Sequence, residues 1–279
     1  MNSDSEPPPL SLANIIDTRE FFLPGSGVSA LLVHGLTGTP YEMRFLGERL
    51  SAAGVRVFAV RLAGHAGTPE ELGATNHHNW YESVVDGCER LRAYGDPIVV
   101  VGLSAGGVLA ARLAIDQREA LSAVVMLAPA FFLPWRERLA LAAIKRLGPL
   151  SGMLYLRATA GADIHDAAAR QVHPSAKLMP LSAAISLCEL SAMVRARLPR
   201  LTQPALLIHS RHDHTCPYDK NVEYVMSNLG SARKRLITLE QSYHVITVDT
   251  EKEKVASEVL SFIRELSATR TMAAAQAIG

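Results

Sequence analysis

The chain has 279 residues, a formal net charge of +1, 48% hydrophobic and 20% charged residues, enough apolar content for a substantial core in one large domain or two small ones. With charge near zero and no basic stripe, the sequence argues against nucleic acid or an anionic membrane surface as a partner. No run reaches the roughly 18 apolar residues of a membrane helix. Three scattered cysteines, Cys88, Cys188 and Cys216, read as free thiols in a reducing compartment and not as a disulfide framework or metal site.

Residues 1–27 are expected to form an N-terminal arm, with its first dozen residues disordered. Met1 to Leu10 places acids and prolines where a secretory signal would place basic and then apolar residues, so a cytoplasmic location is expected. From Val28 onward, short apolar runs alternate with helical patterns. Ser29–Val33 reads as a strand, Glu42–Ala53 as a helix stopped by Gly54, and Val55–Val60 as a strand. Trp80–Tyr94 reads as a helix ending before Gly95, followed by strands at Ile98–Val101 and Ala123–Leu127. From Phe131 to about Arg200 no strand is convincing; helical stretches at Glu137–Lys145 and Ser182–Leu198 flank a Gly/Ala/Asp-rich piece. Strands resume at Ala205–Ile208 and Leu236–Leu239, on either side of a helix over Tyr218–Leu229 with Pro217 before it and Gly230 behind. Finally, Thr250 and Glu253 have the spacing of a capping box, after which Val255, Val259, Phe262, Ile263 and Leu266 share one helix face.

These strands are apolar on both faces instead of alternating, as in a parallel sheet covered by helices on both sides. The alternation therefore predicts an α/β fold with a mostly parallel central sheet. Residues 28–130 and 201–268 form its core, 131–200 a small helical cap inserted between two strands, and 269–279 a C-terminal tail.

One segment carries chemistry. "PIVVVGLSAGGVLAARLAI", residues 97–115, sets Ser104 between Gly102 and Gly106 where strand gives way to helix. A Gly-x-Ser-x-Gly turn in that context is so tight that a Cβ at either glycine would strike backbone, and it lifts the serine clear of the sheet. A serine hydroxyl needs a base within hydrogen-bond reach, and in this context acid and base follow in the order Asp/Glu, then His, on loops after later strands. "HSRHDHTCP" and "EQSYHVI" follow the two late strands. Beyond Asp213 only His214 and His244 remain, and His214 adjoins Asp213, which leaves His244 as base. Asp213 is the expected acid because it sits just past a strand end. Glu240 is its rival; Asp163 and Asp166 fall in the cap, Asp116 ends the serine's helix, and Asp219 lies inside another. His209 and His212 read as local hydrogen-bonding or surface residues. An oxyanion needs fixed backbone donors: Ala105 N–H, after the serine, and Leu36 N–H, on the loop "LLVHGLTGTP" between Gly35 and Gly38. His34 is expected to brace that loop.

From about Ala30 to Ile263 the chain resembles the α/β-hydrolase superfamily, in particular the small bacterial carboxylesterases and monoacylglycerol lipases. "HGLTGTPYEMRFLGERLSAAG", "RLAGHAGTPEELGATNHHNWYESV", "GLSAGG", "SRHDHTCP" and "SYHVITVDTEKEKV" are similar, in order, to the group's characteristic segments. The resemblance implies Ser104 as nucleophile, Asp213 as acid, His244 as base, and Leu36 and Ala105 as oxyanion donors, with no cofactor and no metal. Two departures stand out: "GHAG" has one residue more than the group's Gly-His-Gly, which reshapes the wall near His65, and Ala105 follows the serine where Met, Leu or Gln is common. The expected reaction is hydrolysis of short-to-medium acyl esters through an acyl-serine, with monoacylglycerol lipase as the alternative. Thioesterases and acyltransferases share such a site, and a non-catalytic binding protein on the same fold is a remote alternative. "FFLPW" and "GPLSGMLYL" are candidates for an apolar acyl channel. Oligomeric state is not legible.

Overall fold

A computed structural model describes residues 17–146, 148, 154–157, 161–174, 176 and 178–278, with side chains to Ala268. Nine strands occur among them in chain order: β1 Phe21–Leu23, β2 Ser29–Val33, β3 Arg56–Val60, β4 Ile98–Leu103, β5 Leu121–Leu127, β6 Tyr155–Arg157, β7 Leu178–Pro180, β8 Ala205–Ser210 and β9 Lys234–Leu239. The helices are α1 Tyr41–Ala52, α2 Pro69–Gly73, α3 His77–Arg92, α4 Ala105–Asp116, α5 Trp135–Lys145, α6 Ala167–Val172, α7 Leu181–Arg195, α8 Tyr218–Asn228 and α9 Lys252–Ile278. Seven strands make one sheet in the order β1-β3-β2-β4-β5-β8-β9, every neighbour parallel except the antiparallel pair β1–β3.

The pleat explains why these strands read as continuously apolar. Alternate residues serve two separate cores. Leu31, Val33, Val100, Val124, Met126 and Leu207 pack with α3, α4, α7 and α8. Their neighbours Ala30, Leu32, Val99, Val101, Val125 and Ile208 pack with α1 and α9 on the opposite face. Central helix α4 is buried along nearly its whole length, which suits its Ala- and Gly-rich sequence.

All six expected strands are present, and four differences have physical causes. Phe21–Leu23, inside the expected arm, forms edge strand β1 on β3, with Phe21 buried and Phe22 exposed. The interval expected to lack strands contains the antiparallel pair β6–β7, whose Tyr155, Leu156 and Leu178 are exposed. Helix α9 runs on through the expected tail to Ile278. The capping box does not form: the Thr250 hydroxyl donates to Asp249, Glu253 pairs with Arg49 of α1, and the helix starts at Lys252. The expectation of disorder in the first dozen residues lies outside the described residues. Among the described residues no helix is long and apolar enough to cross a membrane.

Candidate active site

Ser104 stands at the β4–α4 junction with φ 55° and ψ −116°, a left-handed conformation that costs a non-glycine residue about 1–3 kcal/mol. The surrounding backbone fixes it. Ser104 N–H donates to Leu127 O (2.8 Å), and its own carbonyl accepts from Gly107 N–H (3.0 Å) and Ala130 N–H (3.1 Å). The flanking glycines are required sterically: a Cβ on Gly102 would lie 2.0 Å from Gly106 O, and one on Gly106 would lie 2.2 Å from Val33 O.

The ends of β8 and β9 bring two further side chains to this serine. Ser104 Oγ lies 2.8 Å from His244 Nε2, and His244 Nδ1 lies 2.7 Å from Asp213 Oδ2. With Nδ1 carrying the proton, it donates to the carboxylate and Nε2 is left to accept the serine proton. Asp213 Oδ1 accepts from Thr215 N–H (2.9 Å) and Cys216 N–H (2.6 Å), so both oxygens are held. Burial opposes ionisation of Asp213, but His244 and His209 outweigh it and keep its carboxyl well below the usual carboxylate range. Burial would likewise lower the His244 pKa; the Asp213 charge outweighs that and raises it above the ordinary value of 6.5. A hydroxyl, an imidazole and a carboxylate in this line can move the serine proton to Nε2 as the oxygen attacks a carbonyl.

The other acids considered from sequence are engaged elsewhere. Glu240 is exposed and pairs with Arg211. Asp163 holds His214 and Thr215, Asp166 caps α6, Asp116 pairs with Arg197, and Asp219 lies in α8. His209, read as a local residue, is fully buried with Nε2 3.1 Å from Asp213 Oδ2 and 2.9 Å from Cys216 O, so it braces the acid from behind.

Leu36 lies on the turn after β2, which Gly38 N–H closes on Gly35 O (3.2 Å) with Thr37 at φ 62°. Among the described residues neither Leu36 N–H nor Ala105 N–H donates a hydrogen bond. His34 does brace the loop. Its Nδ1–H donates to Gly35 O (2.9 Å), its Nε2 accepts Leu62 N–H (3.2 Å), and burial lowers its pKa, so it is neutral. His65 does not line the cavity in front of Ser104; it packs edge-on between His34 and Trp80, where burial takes its pKa down to about 3. Ala66, in the lengthened "GHAG" turn, takes φ 61°.

A cavity of about 300 Å³ opens over Ser104 and His244. One side is apolar, with Ala130, Leu133, Leu156, Met179, Ala184 and Leu187; Thr37, Glu42, Asp163, His173 and Thr215 supply polar groups. Of "FFLPW", Leu133 lines the cavity, whereas Phe131 is buried in the core and Trp135 is exposed on the cap surface. Of "GPLSGMLYL", Leu156 lines it, and residues 149–153 lie outside the described residues.

Two residues that hold the His244 loop were missed from sequence. Asp163 O accepts both His244 N–H (3.0 Å) and Val245 N–H (3.1 Å). The Asp249 carboxylate, fully buried, accepts N–H bonds from Tyr243 (2.7 Å), Thr250 (2.7 Å), His165 (2.9 Å) and Asp166 (2.9 Å), tying the His244 loop to the cap. An acid shortly after a histidine carries no signal of this by itself, because two of its four partners, His165 and Asp166, lie 84 and 83 residues away. Among the described residues no group of three or more His, Cys, Asp or Glu is arranged to hold a metal ion.

Residues 28–251 match the family described as "Serine aminopeptidase, S33". The chain is 32% identical over 244 residues to a thermostable monoacylglycerol lipase of Bacillus sp. (strain H-257), covering 87% of this chain and 92% of that protein. It is 27% identical over 256 residues to a carboxylesterase of Bacillus subtilis (strain 168), covering 90% and 98%. A solved structure from work on LipS and LipT, two metagenome-derived lipolytic enzymes, superposes with a TM-score of 0.81 at 32% identity, over 89% of this chain and 98% of that one. Given this match along nearly the whole chain, and a sheet with the serine turn at its centre, the protein belongs to the serine aminopeptidase S33 family of α/β-hydrolases, in the carboxylesterase and monoacylglycerol lipase group.

Proposed function

We propose that this protein is a serine carboxylesterase that hydrolyses short-to-medium acyl esters with Ser104 as nucleophile, His244 as general base and acid, and Asp213 as the orienting carboxylate. The observation that carries the reading is the unbroken line of contacts from Ser104 Oγ through His244 to Asp213, beside a cavity with one apolar side. His244 Nε2 takes the Ser104 proton as Oγ adds to the ester carbonyl, and the Leu36 and Ala105 N–H groups receive the oxyanion. The imidazolium then protonates the departing alcohol. Water, deprotonated by the same Nε2, releases the acid and restores Ser104. Asp213 fixes the Nδ1–H tautomer and stabilises the imidazolium. None of these steps calls on a metal or a cofactor.

A cavity of about 300 Å³ is at the small end for ligand pockets, which supports a compact acyl group. A second reading, monoacylglycerol hydrolysis, draws on the polar groups Thr37, Asp163 and Thr215 in the cavity wall and on the Bacillus lipase relative. The free cysteines Cys88, Cys188 and Cys216 support a reducing, cytoplasmic setting. The test is a panel of nitrophenyl esters of increasing acyl length beside glycerol monoesters of the same acids. The carboxylesterase reading expects kcat/KM to peak at short or medium acyl chains with no gain from glycerol. A preference of about tenfold or more for the glycerol esters would favour the lipase reading instead.

A further inference from the structure

Glu42 is a buried acid that the reaction steps above do not use. It sits in the first turn of α1, 4% exposed, in the wall of the cavity that holds Ser104. Its Oε2 accepts the Gly35 N–H at 3.2 Å. The turn wraps closely around this carboxylate: a Cβ on Gly38 would lie 2.2 Å from Oε2, and one on Gly35 would lie 3.6 Å from it and 3.2 Å from Ser104 Cβ. Between these glycines stand Leu36 and the left-handed Thr37. The turn is gripped at both polar groups of Gly35, its N–H by Glu42 and its carbonyl by His34.

The cap reaches the same carboxylate. His173 Nε2 lies 3.2 Å from Glu42 Oε1, a charge-pair distance off the hydrogen-bond line, with the two side chains only 2% and 6% exposed. Beside it Ala176 N–H donates to Thr37 O at 3.4 Å, and the His173 ring meets Tyr41 edge-on at 6.0 Å. Burial works against a charged Glu42, but the neighbouring His173 and the Gly35 N–H outweigh it and hold the carboxyl below its ordinary range. A buried carboxylate is retained only where such partners compensate its lost hydration.

We propose that Glu42 is a positioning residue of the reaction: its carboxylate holds the Gly35–Gly38 turn so that the Leu36 N–H faces the developing oxyanion, and His173 of the cap clamps that carboxylate in place. The inference rests on the reading of Leu36 as an oxyanion donor and Ser104 as nucleophile. It assigns to Glu42 an effect on the transition state and little effect on substrate binding.

The experiment compares E42L, E42D, E42Q and H173L with the unmodified protein. It reads kcat and KM on a nitrophenyl butyrate, and the Ki of an alkyl trifluoromethyl ketone, whose hemiketal oxygen reports on the oxyanion donors. Loss of a whole donor costs about 10²–10³ in rate, so a slackened one should cost roughly 10–100-fold in kcat for E42L, with KM within about threefold and Ki rising in step with the loss of kcat. E42D keeps the charge but falls one methylene short of Gly35 and should resemble E42L. E42Q restores an acceptor for the Gly35 N–H and should recover most of the lost rate. H173L should fall between E42Q and E42L. The proposal is overturned if E42L keeps the kcat and Ki of the unmodified protein, if KM alone rises, or if E42Q is as impaired as E42L. Should E42L not fold, the E42D-to-E42Q ratio decides: equal rates refute the positioning role. Fluorophosphonate labelling of each variant separates this outcome from failure of the underlying reading, because an unmodified protein that does not label at Ser104 removes that reading and not the Glu42 effect alone.

Discussion

Replacing Gly106 by Ala tests the architecture of the serine turn. The added methyl would sit 2.2 Å from Val33 O and 2.5 Å from His34 O, both backbone atoms of central strand β2 and its exit. Neither can rotate away, and an ordinary C···O contact is about 3.3 Å, so the start of α4 must retreat by roughly 1 Å. Overpacking of this kind costs about 1–3 kcal/mol, and in a chain this long a loss of about 3 kcal/mol lowers Tm by roughly 6–12 °C. The same retreat carries Ser104 with it, and a misplacement of about 1 Å at a reacting group costs on the order of 10² in rate. Gly54→Ala is the control: Gly54, unlike Gly106, has a positive φ, 93°, but a Cβ there meets nothing within 4 Å. It should lose about 1–2 kcal/mol to backbone strain and keep its kcat. Thermal melts followed by circular dichroism, with initial rates on a nitrophenyl ester, measure both. If Gly106→Ala matched Gly54→Ala in both Tm and kcat, the steric argument for the turn would be wrong.

Two other perturbations probe the support of His244. Asp249→Ala leaves four part-buried N–H groups without their acceptor, and at about 1 kcal/mol for each lost bond the loss should reach roughly 4 kcal/mol, read as a lower urea midpoint; a change under about 1 kcal/mol would refute the bracing role. The pH profile follows from the raised pKa of His244. Only the neutral imidazole accepts the serine proton, so kcat/KM should rise with pH through a pKa above 6.5. Asp213→Asn removes the charge that raises this pKa, so the acid limb should move to lower pH while the plateau falls by roughly 10³–10⁴. An unmoved acid limb would show that the charge does not act on His244.

Much of this was legible in the sequence because the parallel sheet imposes strong local signatures. Strands buried on both faces read as short apolar runs, and Gly102 and Gly106 mark a strand-to-helix junction too tight for a side chain. The order of serine, acid and histidine along the chain narrowed the partners, since only two histidines follow Asp213. What escaped was short or determined by tertiary contact. β1 and β6 span three residues each, too few to show a period, and are defined by their partners β3 and β7. Thr250 has the spacing of a cap residue, but the helix starts only at Lys252, and Glu253 reaches Arg49 of α1 instead of turning back to Thr250. Glu42 looks like an ordinary acid in a first helical turn; only the folded chain shows Gly35 and His173 closing around it.

His244 and Asp213 are proposed to make the hydroxyl of Ser104 reactive. Reaction with a fluorophosphonate, followed by peptide mass spectrometry, tests this most directly. One equivalent of label on Ser104, with labelling and ester hydrolysis both lost in Ser104→Ala, is the predicted result; label on another residue, or hydrolysis that survives in Ser104→Ala, would contradict it.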